Sequence, residues 1–430
     1  MAEHSSRPGF LLRYSRWVRF FLPLVAVLVL LTGCGELHCN CPPVVTVHIS
    51  APNTRPITGL DRALLNAANG AISGRILGLA SYRGSDGTGQ TLAVLDGDLY
   101  AVPNANGQAA LIRRAICPNI GIALSADASR LACLGPLNVG EDIHWLYGCF
   151  DLCFSKQIRI ETFTPAVQPH ISVEQNISDE HRLLSSPTWR PDGEAIAALD
   201  FANPPANDVS SAASASCAIA VYAQASANST DIVPALGIYI ADFSLCGALQ
   251  VAWSPDGQTL AVLDSQTLLL LTAPSPATIA KASHTGHFVK SVLTPRLRIP
   301  LQQSALEMAW APNGHSMAVV SRDKDKVTLP YQITQYPLNT SKPPTPLFGP
   351  DEYGSPIGPI AYSFDGRALI FAAGARQFDV FPPRNPLATP GSAYRSSSYT
   401  AQIPQVGLRP QICDCPQPPA GLYSYTLPTS

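Results

Sequence analysis

The sequence predicts an all-β protein, a six-bladed β-propeller with room for a seventh blade. Three observations lead to that prediction. A unit made of an aromatic residue, proline, aspartate and glycine recurs along the chain, and each copy precedes a short apolar segment. The 40 prolines among 430 residues oppose long helices. Hydrophobic residues make up 46% of the chain, which is enough for an ordered core.

The repeated unit is predicted to be a β-hairpin. In Ser254-Pro255-Asp256-Gly257, proline presets φ, aspartate bonds nearby backbone amides, and glycine takes the left-handed conformation. The segment after it, 260–263, is apolar enough to be a strand buried on both faces. The predicted turn residues are Asp192, Gly193, Asp256, Gly257, Asn313, Gly314, Asp365 and Gly366. Because position 313 is asparagine, these positions are interpreted as turn formers and not as catalytic carboxylates.

The spacing of the units predicts a closed ring. Weaker copies centre on Asp86 and Asp127, and successive copies lie 41 to 65 residues apart. One such hairpin cannot bury its own faces, whereas units stacked around an axis can. The gap between Asp127 and Asp192 leaves room for a seventh blade. Residues 44–50 and 422–427 are predicted to be terminal strands. One of them is expected to complete a blade that the other begins, which closes the ring.

Four copies of the unit resemble the WD-like repeats of TolB-type propellers, whose signature is an aromatic residue, a small residue, Pro-Asp-Gly and a Leu-Ala strand. The resemblance covers roughly residues 82–372 and implies the propeller fold. The sequence departs from the signature at Ala128, Asn313 and Phe364, and residues 44–80 are too short for the separate N-terminal domain of TolB. The resemblance therefore implies the type of repeat and not the partner of TolB.

The N-terminal residues follow the order of an export signal. Four arginines precede an apolar run from Phe20 to Leu31, and Cys34 follows two small residues. This end resembles the lipobox of bacterial lipoproteins, which implies that Cys34 carries a diacylglycerol thioether and begins the mature chain. An uncleaved anchor is the alternative, but the apolar run is short of the about 20 residues that span a bilayer.

The predicted organisation follows from these two parts of the chain. It comprises a lipoprotein signal peptide (1–33), a lipidated, proline-containing tether (34–55) and a propeller (56–430). The predicted location is the extracytoplasmic face of the cell membrane.

Cysteine usage agrees with export. Ten cysteines remain besides Cys34, and an even number in an oxidising compartment predicts disulfides. Proximity suggests that Cys117 pairs with Cys133, Cys149 with Cys153, and Cys217 with Cys246. Two Cys-x-Cys units, Cys39 with Cys41 and Cys413 with Cys415, are also interpreted as disulfides, and a four-thiolate zinc or copper site is the alternative.

The net charge and the absence of several catalytic motifs reduce the number of functions that the sequence supports. The net charge is −2 without a basic stripe, which opposes nucleic-acid binding. No nucleophile elbow, phosphate-binding loop or zinc-protease motif occurs. His284 and His287 are interpreted as loop residues, so neither a cofactor nor a metal site is predicted. The sequence predicts a membrane-anchored binding or scaffold module for an envelope protein or a small ligand. The alternative is a propeller enzyme, a hydrolase or lyase with a central-channel site, with or without a metal.

Overall fold

A computed structural model describes residues 53–57, 76–95, 97–104, 108–117, 121–135, 155–166, 169–178, 182–202, 217–225, 231–322, 331–338, 342–349, 355–374 and 421–427. All of them belong to one compact unit, Val44–Gln402 with Gln417–Ser430. Within these ranges no helix has the length and apolar character needed to cross a membrane.

The described residues form 25 strands and one short α-helix. The strands are β1 (Thr54–Pro56), β2 (Ile76–Arg83), β3 (Gly89–Leu95), β4 (Asp98–Pro103), β5 (Ala110–Arg113), β6 (Ile122–Leu124), β7 (Arg130–Leu134), β8 (Gln157–Thr164), β9 (His170–Ser178), β10 (Arg182–Trp189), β11 (Ala195–Ala202), β12 (Cys217–Gln224), β13 (Ile232–Ile240), β14 (Ala248–Trp253), β15 (Thr259–Asp264), β16 (Thr267–Thr272), β17 (Val289–Leu293), β18 (Pro295–Pro300), β19 (Ser304–Trp310), β20 (Ser316–Arg322), β21 (Tyr331–Pro337), β22 (Thr345–Phe348), β23 (Ser355–Tyr362), β24 (Ala368–Gly374) and β25 (Gly421–Thr426). Helix α1 spans Pro276–Ser283, and a 3-10 turn spans Leu245–Gly247.

These strands make six sheets, which are the blades. Blade I contains β2–β5, blade II β6–β9, blade III β10–β13 with β17, blade IV β14, β15, β16 and β18, blade V β19–β22, and blade VI β23, β24, β25 and β1. The first strand of each blade contacts the first strand of the next, and β23 returns to β2. The ring is therefore closed, and the described residues form a six-bladed β-propeller.

Each predicted turn lies between the first and second strands of one blade. Asp127, for example, lies between β6 and β7, and Asp192 lies between β10 and β11. The interval between these two aspartates holds β7, β8, β9 and β10, which complete blade II and begin blade III. The described strands of this interval thus belong to blades II and III and form no seventh blade.

The two ends of the chain close the ring together in blade VI. Strand β25 lies between β24 and β1, and Arg55 is paired with Ser424. The strand predicted at 422–427 is therefore confirmed within one residue. Its N-terminal partner is Thr54–Pro56, whereas residues 44–50 lie outside the described residues.

The core lies between neighbouring blades. In β15, Leu260 and Val262 pack into the core shared with blade III, whereas Ala261 and Leu263 pack into the core shared with blade V. All four side chains are completely buried. The continuous apolar run of this second strand therefore reflects burial on both faces of the sheet.

The sequence prediction missed a clasp between blades III and IV, formed by α1 and β17. Helix α1 begins after Ser275, whose Oγ accepts a hydrogen bond from the Thr278 N–H at 3.2 Å, and Pro276 fits the first turn. The helix packs on β12 and β13, and β17 then adds to β13 as a parallel fifth strand. The chain continues directly into β18 of blade IV, so one segment spans the edges of both blades.

Candidate functional site

The repeat turns are fixed by their own side chains. The Asp256 carboxylate accepts hydrogen bonds from the Ser254 hydroxyl and from the Gln258 N–H at 3.0 Å. These two bonds, together with the nearby Arg296 guanidinium, hold the pKa of Asp256 below its usual value. Asn313 accepts the equivalent bond from the His315 N–H at 2.9 Å. Each of these side chains is thus engaged in its own turn.

Successive turns also pack on one another, which builds a continuous surface that we name the turn face. Gly257 has φ +70°, and a Cβ built on it would lie 3.3 Å from Pro191 in the turn of blade III. The same proline-to-glycine contact recurs between Pro312 and Gly366, at 3.5 Å. The left-handed backbone conformation therefore favours glycine here, and at Gly257 a side chain would also press closely on the neighbouring blade.

A groove of about 950 Å³ opens on the turn face between blades IV and V. We name it the IV/V groove and define it by six of its lining residues, Arg190, Asp256, Arg296, Trp310, His315 and Lys342. Its volume lies within the range of about 300–1,000 Å³ typical of ligand sites.

Three cations from three different parts of the ring line this groove. Arg190 follows β10, Arg296 lies in β18, and Lys342 lies between β21 and β22. Asp256 is the one carboxylate that lines the groove within the described ranges. Lys342 forms no ion pair with any described residue, whereas Arg296 lies near Asp256. The groove is therefore suited to negatively charged groups.

Arg190, which lines the groove, is held in place by its neighbours. Its side chain is only 10% exposed, its Nη1 lies 3.0 Å from Asp192 Oδ2, and its guanidinium carbon lies 5.9 Å from the centre of the Trp253 ring. Its buried Nε has no hydrogen-bond partner within the described part of the chain. Trp310 forms an aromatic wall, with its Nε1 donating to the Ala252 carbonyl at 3.3 Å. A fixed guanidinium beside an aromatic surface can orient a carboxylate or another oxyanion.

Of the predicted turn residues, Asp256, Gly257 and Gly314 line the groove. The sequence analysis missed its cations, because scattered basic residues form no motif. One signal was available, since Arg190 occupies a repeat position that holds serine or alanine in blades IV, V and VI. Arg296 and Lys342 carry no comparable signal.

The inner wall of the ring is held by polar side chains of the first strands. Gln250 Oε1 accepts a hydrogen bond from the Met308 N–H of the next blade at 2.7 Å. Glu307 Oε1 accepts one from the Ile360 N–H at 3.1 Å. Gln250 and Glu307 each stand at a register shift between the first and second strands of their blade. The alternative prediction, a propeller enzyme, has its site in the central channel. In the structure, the Gln250 and Glu307 side chains join neighbouring blades.

Two of the predicted disulfides are confirmed. Cys117–Cys133 joins the connection between blades I and II to β7, with a Cα–Cα distance of 5.5 Å. Cys217–Cys246 joins β12 to the connection between blades III and IV, with a Cα–Cα distance of 5.1 Å. The remaining predicted positions, Cys34, Cys39, Cys41, Cys149, Cys153, Cys413 and Cys415, lie outside the described residues.

The two histidines singled out in the sequence lie at the exposed end of α1. His284 caps the helix, and His287 Nδ1 lies 2.9 Å from the Thr285 carbonyl oxygen. Across the ranges given above, no three His, Cys, Asp or Glu side chains are grouped so as to hold a metal ion.

Among known proteins, this chain is similar to several solved structures. No family model and no curated protein matches the sequence. TolB from Acinetobacter baumannii is similar over 65% of this chain and 57% of its own, with 12% identity and a TM-score of 0.37. The hydrazine synthase of Kuenenia stuttgartiensis is similar over 60% of this chain and 70% of its own, with 12% identity and a TM-score of 0.39. On the topology of its own sheets, this chain is a six-bladed β-propeller.

Proposed function

We propose that this protein is a lipid-anchored, extracytoplasmic binding module whose IV/V groove takes an acidic segment of an envelope protein. A β-propeller fits a binding or scaffold role, since it presents many loops on a rigid ring. The export signal ending at Cys34 supports the anchored location. The two disulfides are consistent with an oxidising compartment.

One observation carries the choice of ligand. Arg190, Arg296 and Lys342 converge from three parts of the ring on one groove in which Asp256 supplies the carboxylate. Guanidinium and ammonium groups recognise carboxylates through charge-assisted hydrogen bonds. An extended acidic segment offers several carboxylates to these cations and an apolar stem to Trp310.

The experiment uses the mature protein extracted from its native membranes. Its intact mass should show a chain that begins at a lipid-modified Cys34 and, in a Cys34→Ala variant, loss of the lipid. A chain that still begins at Met1, or an unmodified Cys34, would overturn the anchoring part of the proposal.

Binding is then measured by fluorescence anisotropy with a labelled hexaglutamate peptide. Reversing two exposed groove charges, in Arg296→Glu with Lys342→Glu, should weaken binding by at least about tenfold, which is about 1.4 kcal/mol. Arg367→Glu is the matched control, because Arg367 lies in the turn of blade VI with a side chain 87% exposed. Equal weakening by the control, or no binding of the peptide by the unaltered protein, would contradict the assignment of the groove.

A further inference from the structure

A second, smaller cavity lies between the outer strands of blades I and II, away from the IV/V groove. Its volume is about 240 Å³. Three arginines line it: Arg113 ends β5, Arg114 follows it, and Arg159 lies in β8. Glu161 and Asn176 complete its polar lining. We name this cavity the arginine pocket.

Strand geometry explains why these side chains meet. Arg159 and Glu161 are two residues apart in β8, so both point to the same face of blade II, toward blade I. Asn176 lies directly opposite Arg159 in the neighbouring strand β9, and it therefore shares that face. Arg113 reaches the same space from the edge of blade I. The pocket exists because two blades pack together.

The charges in this pocket are unequal. Glu161 is almost completely buried, and its Oε2 lies 3.9 Å from Arg113 Nη1. Arg159 Nη1 donates to the Ile116 carbonyl oxygen, a neutral acceptor, at 3.2 Å, and the Arg159 side chain forms no ion pair with any described residue. Arg114 makes no side-chain hydrogen bond or ion pair with any described residue. Three positive charges thus surround the cavity, with one carboxylate among the residues that line it.

We propose that the arginine pocket binds a phosphate group, either as the free anion or at the end of a phosphate ester. A phosphate offers at least three acceptor oxygens and can bond several guanidiniums at once, whereas a carboxylate offers two. The Asn176 amide supplies a further donor. The volume lies below the range typical of drug-sized ligands, which suits a single charged group. This inference is independent of the IV/V groove and of the membrane anchor.

The test is calorimetric titration of the full mature chain with inorganic phosphate, and in parallel with glycerol phosphate, at low ionic strength. Arg114→Gln should weaken phosphate binding about tenfold, because it removes one charged donor. Arg159→Gln should do the same. Arg367→Gln, in the turn of blade VI and not in the lining of the pocket, should leave the affinity within twofold. Thermal unfolding of each variant checks that it is folded. If Arg159→Gln does not fold, the result for Arg114→Gln alone decides the test.

The outcomes separate the alternatives. Binding of inorganic phosphate that falls selectively in the pocket variants supports a site for the free anion. Tighter binding of glycerol phosphate with the same variant pattern supports a site for an ester. Absence of binding of both probes, or equal weakening by Arg367→Gln, would overturn the proposal. Such a result would leave the proposal for the IV/V groove unchanged, because the test of that proposal uses different residues and a different probe.

Discussion

At the scale of single residues, one side-chain oxygen, from aspartate or asparagine, organises each of these repeat turns. Asp127, Asp256 and Asp365 each accept hydrogen bonds from a serine two positions before and from the N–H two positions after. At Asp127 and Asp365, partial burial opposes ionisation, but these hydrogen bonds outweigh it and lower the pKa. Asn313 preserves the bond to the following N–H without the charge. The geometry of the acceptor therefore matters more than its charge.

Replacing Asp256 by alanine should lower the free energy of unfolding by about 1 kcal/mol, since the Ser254 hydroxyl and the Gln258 N–H both lose their acceptor. Asp256→Asn retains an acceptor and should cost less. Urea unfolding at neutral pH measures both variants. If alanine and asparagine had the same effect, the turn would depend on the charge and not on the acceptor.

The same variants give a pH dependence with a defined sign. The folded-state pKa of Asp256 is lowered, so its contribution is fully present above the unfolded value of about 3.9 and is lost as the pH falls through the folded value. The stability advantage of the natural protein over Asp256→Asn should therefore shrink below about pH 4. Because the group is largely exposed, we expect less than about 1 kcal/mol in total.

At the scale of elements, one aromatic side chain of the clasp packs on blade III. Phe288, between α1 and β17, packs edge-to-face on Tyr222 with ring centres 5.2 Å apart. The Arg182 guanidinium carbon lies 4.4 Å from the centre of the same ring. Both partners belong to blade III, whereas Phe288 comes from a segment inserted in blade IV. The contact therefore joins two blades that the chain visits in turn.

Phe288→Ala should destabilise the protein by about 1–3 kcal/mol, because it removes an aromatic contact and opens space between blade and clasp. Phe364→Ala is the matched control: Phe364 is 47% exposed in the turn of blade VI and should change stability by less than about 0.5 kcal/mol. Chemical denaturation at equilibrium compares the two. Equal effects would show that the Phe288 contact adds nothing beyond ordinary surface packing.

At the scale of the whole molecule, the ring closes through strands from opposite ends of the sequence. Strand β1 supplies the outer strand of blade VI, and Ile57 N–H donates to the Leu422 carbonyl oxygen at 2.8 Å. Ile57 itself is buried in the core of that blade. Without β1, β25 would become an exposed edge and the cover over this core would be lost.

A chain that begins at Thr58 should therefore be less stable, and more prone to aggregate, than one that begins at Asn53. The difference should be at least about 2 kcal/mol, since a buried isoleucine and a strand pairing are lost together. Denaturant midpoints and light scattering of the two purified chains measure it. Equal midpoints would mean that β1 does not close the ring.

How far the sequence predicted this fold follows from the range of each interaction. Turn chemistry is local, so Ser254-Pro255-Asp256-Gly257 and its copies could be recognised directly, and their number indicated six blades. Two disulfides followed from proximity along the chain. The clasp was missed, although Ser275 followed by Pro276 is a typical start of a helix. The parallel pairing of β17 with β13 had no local signal, because three strands of blade IV separate the two in the sequence.

By itself the sequence determined the repeated hairpin, the all-β ring and the strand that ends it, because these depend on turn residues and on apolar runs that neighbouring sheets bury. Only the tertiary structure decided which charges meet. Arg190, Arg296 and Lys342 share a groove, and Arg114 and Arg159 share a pocket, because the blades carrying them pack side by side. No spacing along the chain encodes these neighbours, since blade packing is set by the apolar core and the cations merely lie at its margins.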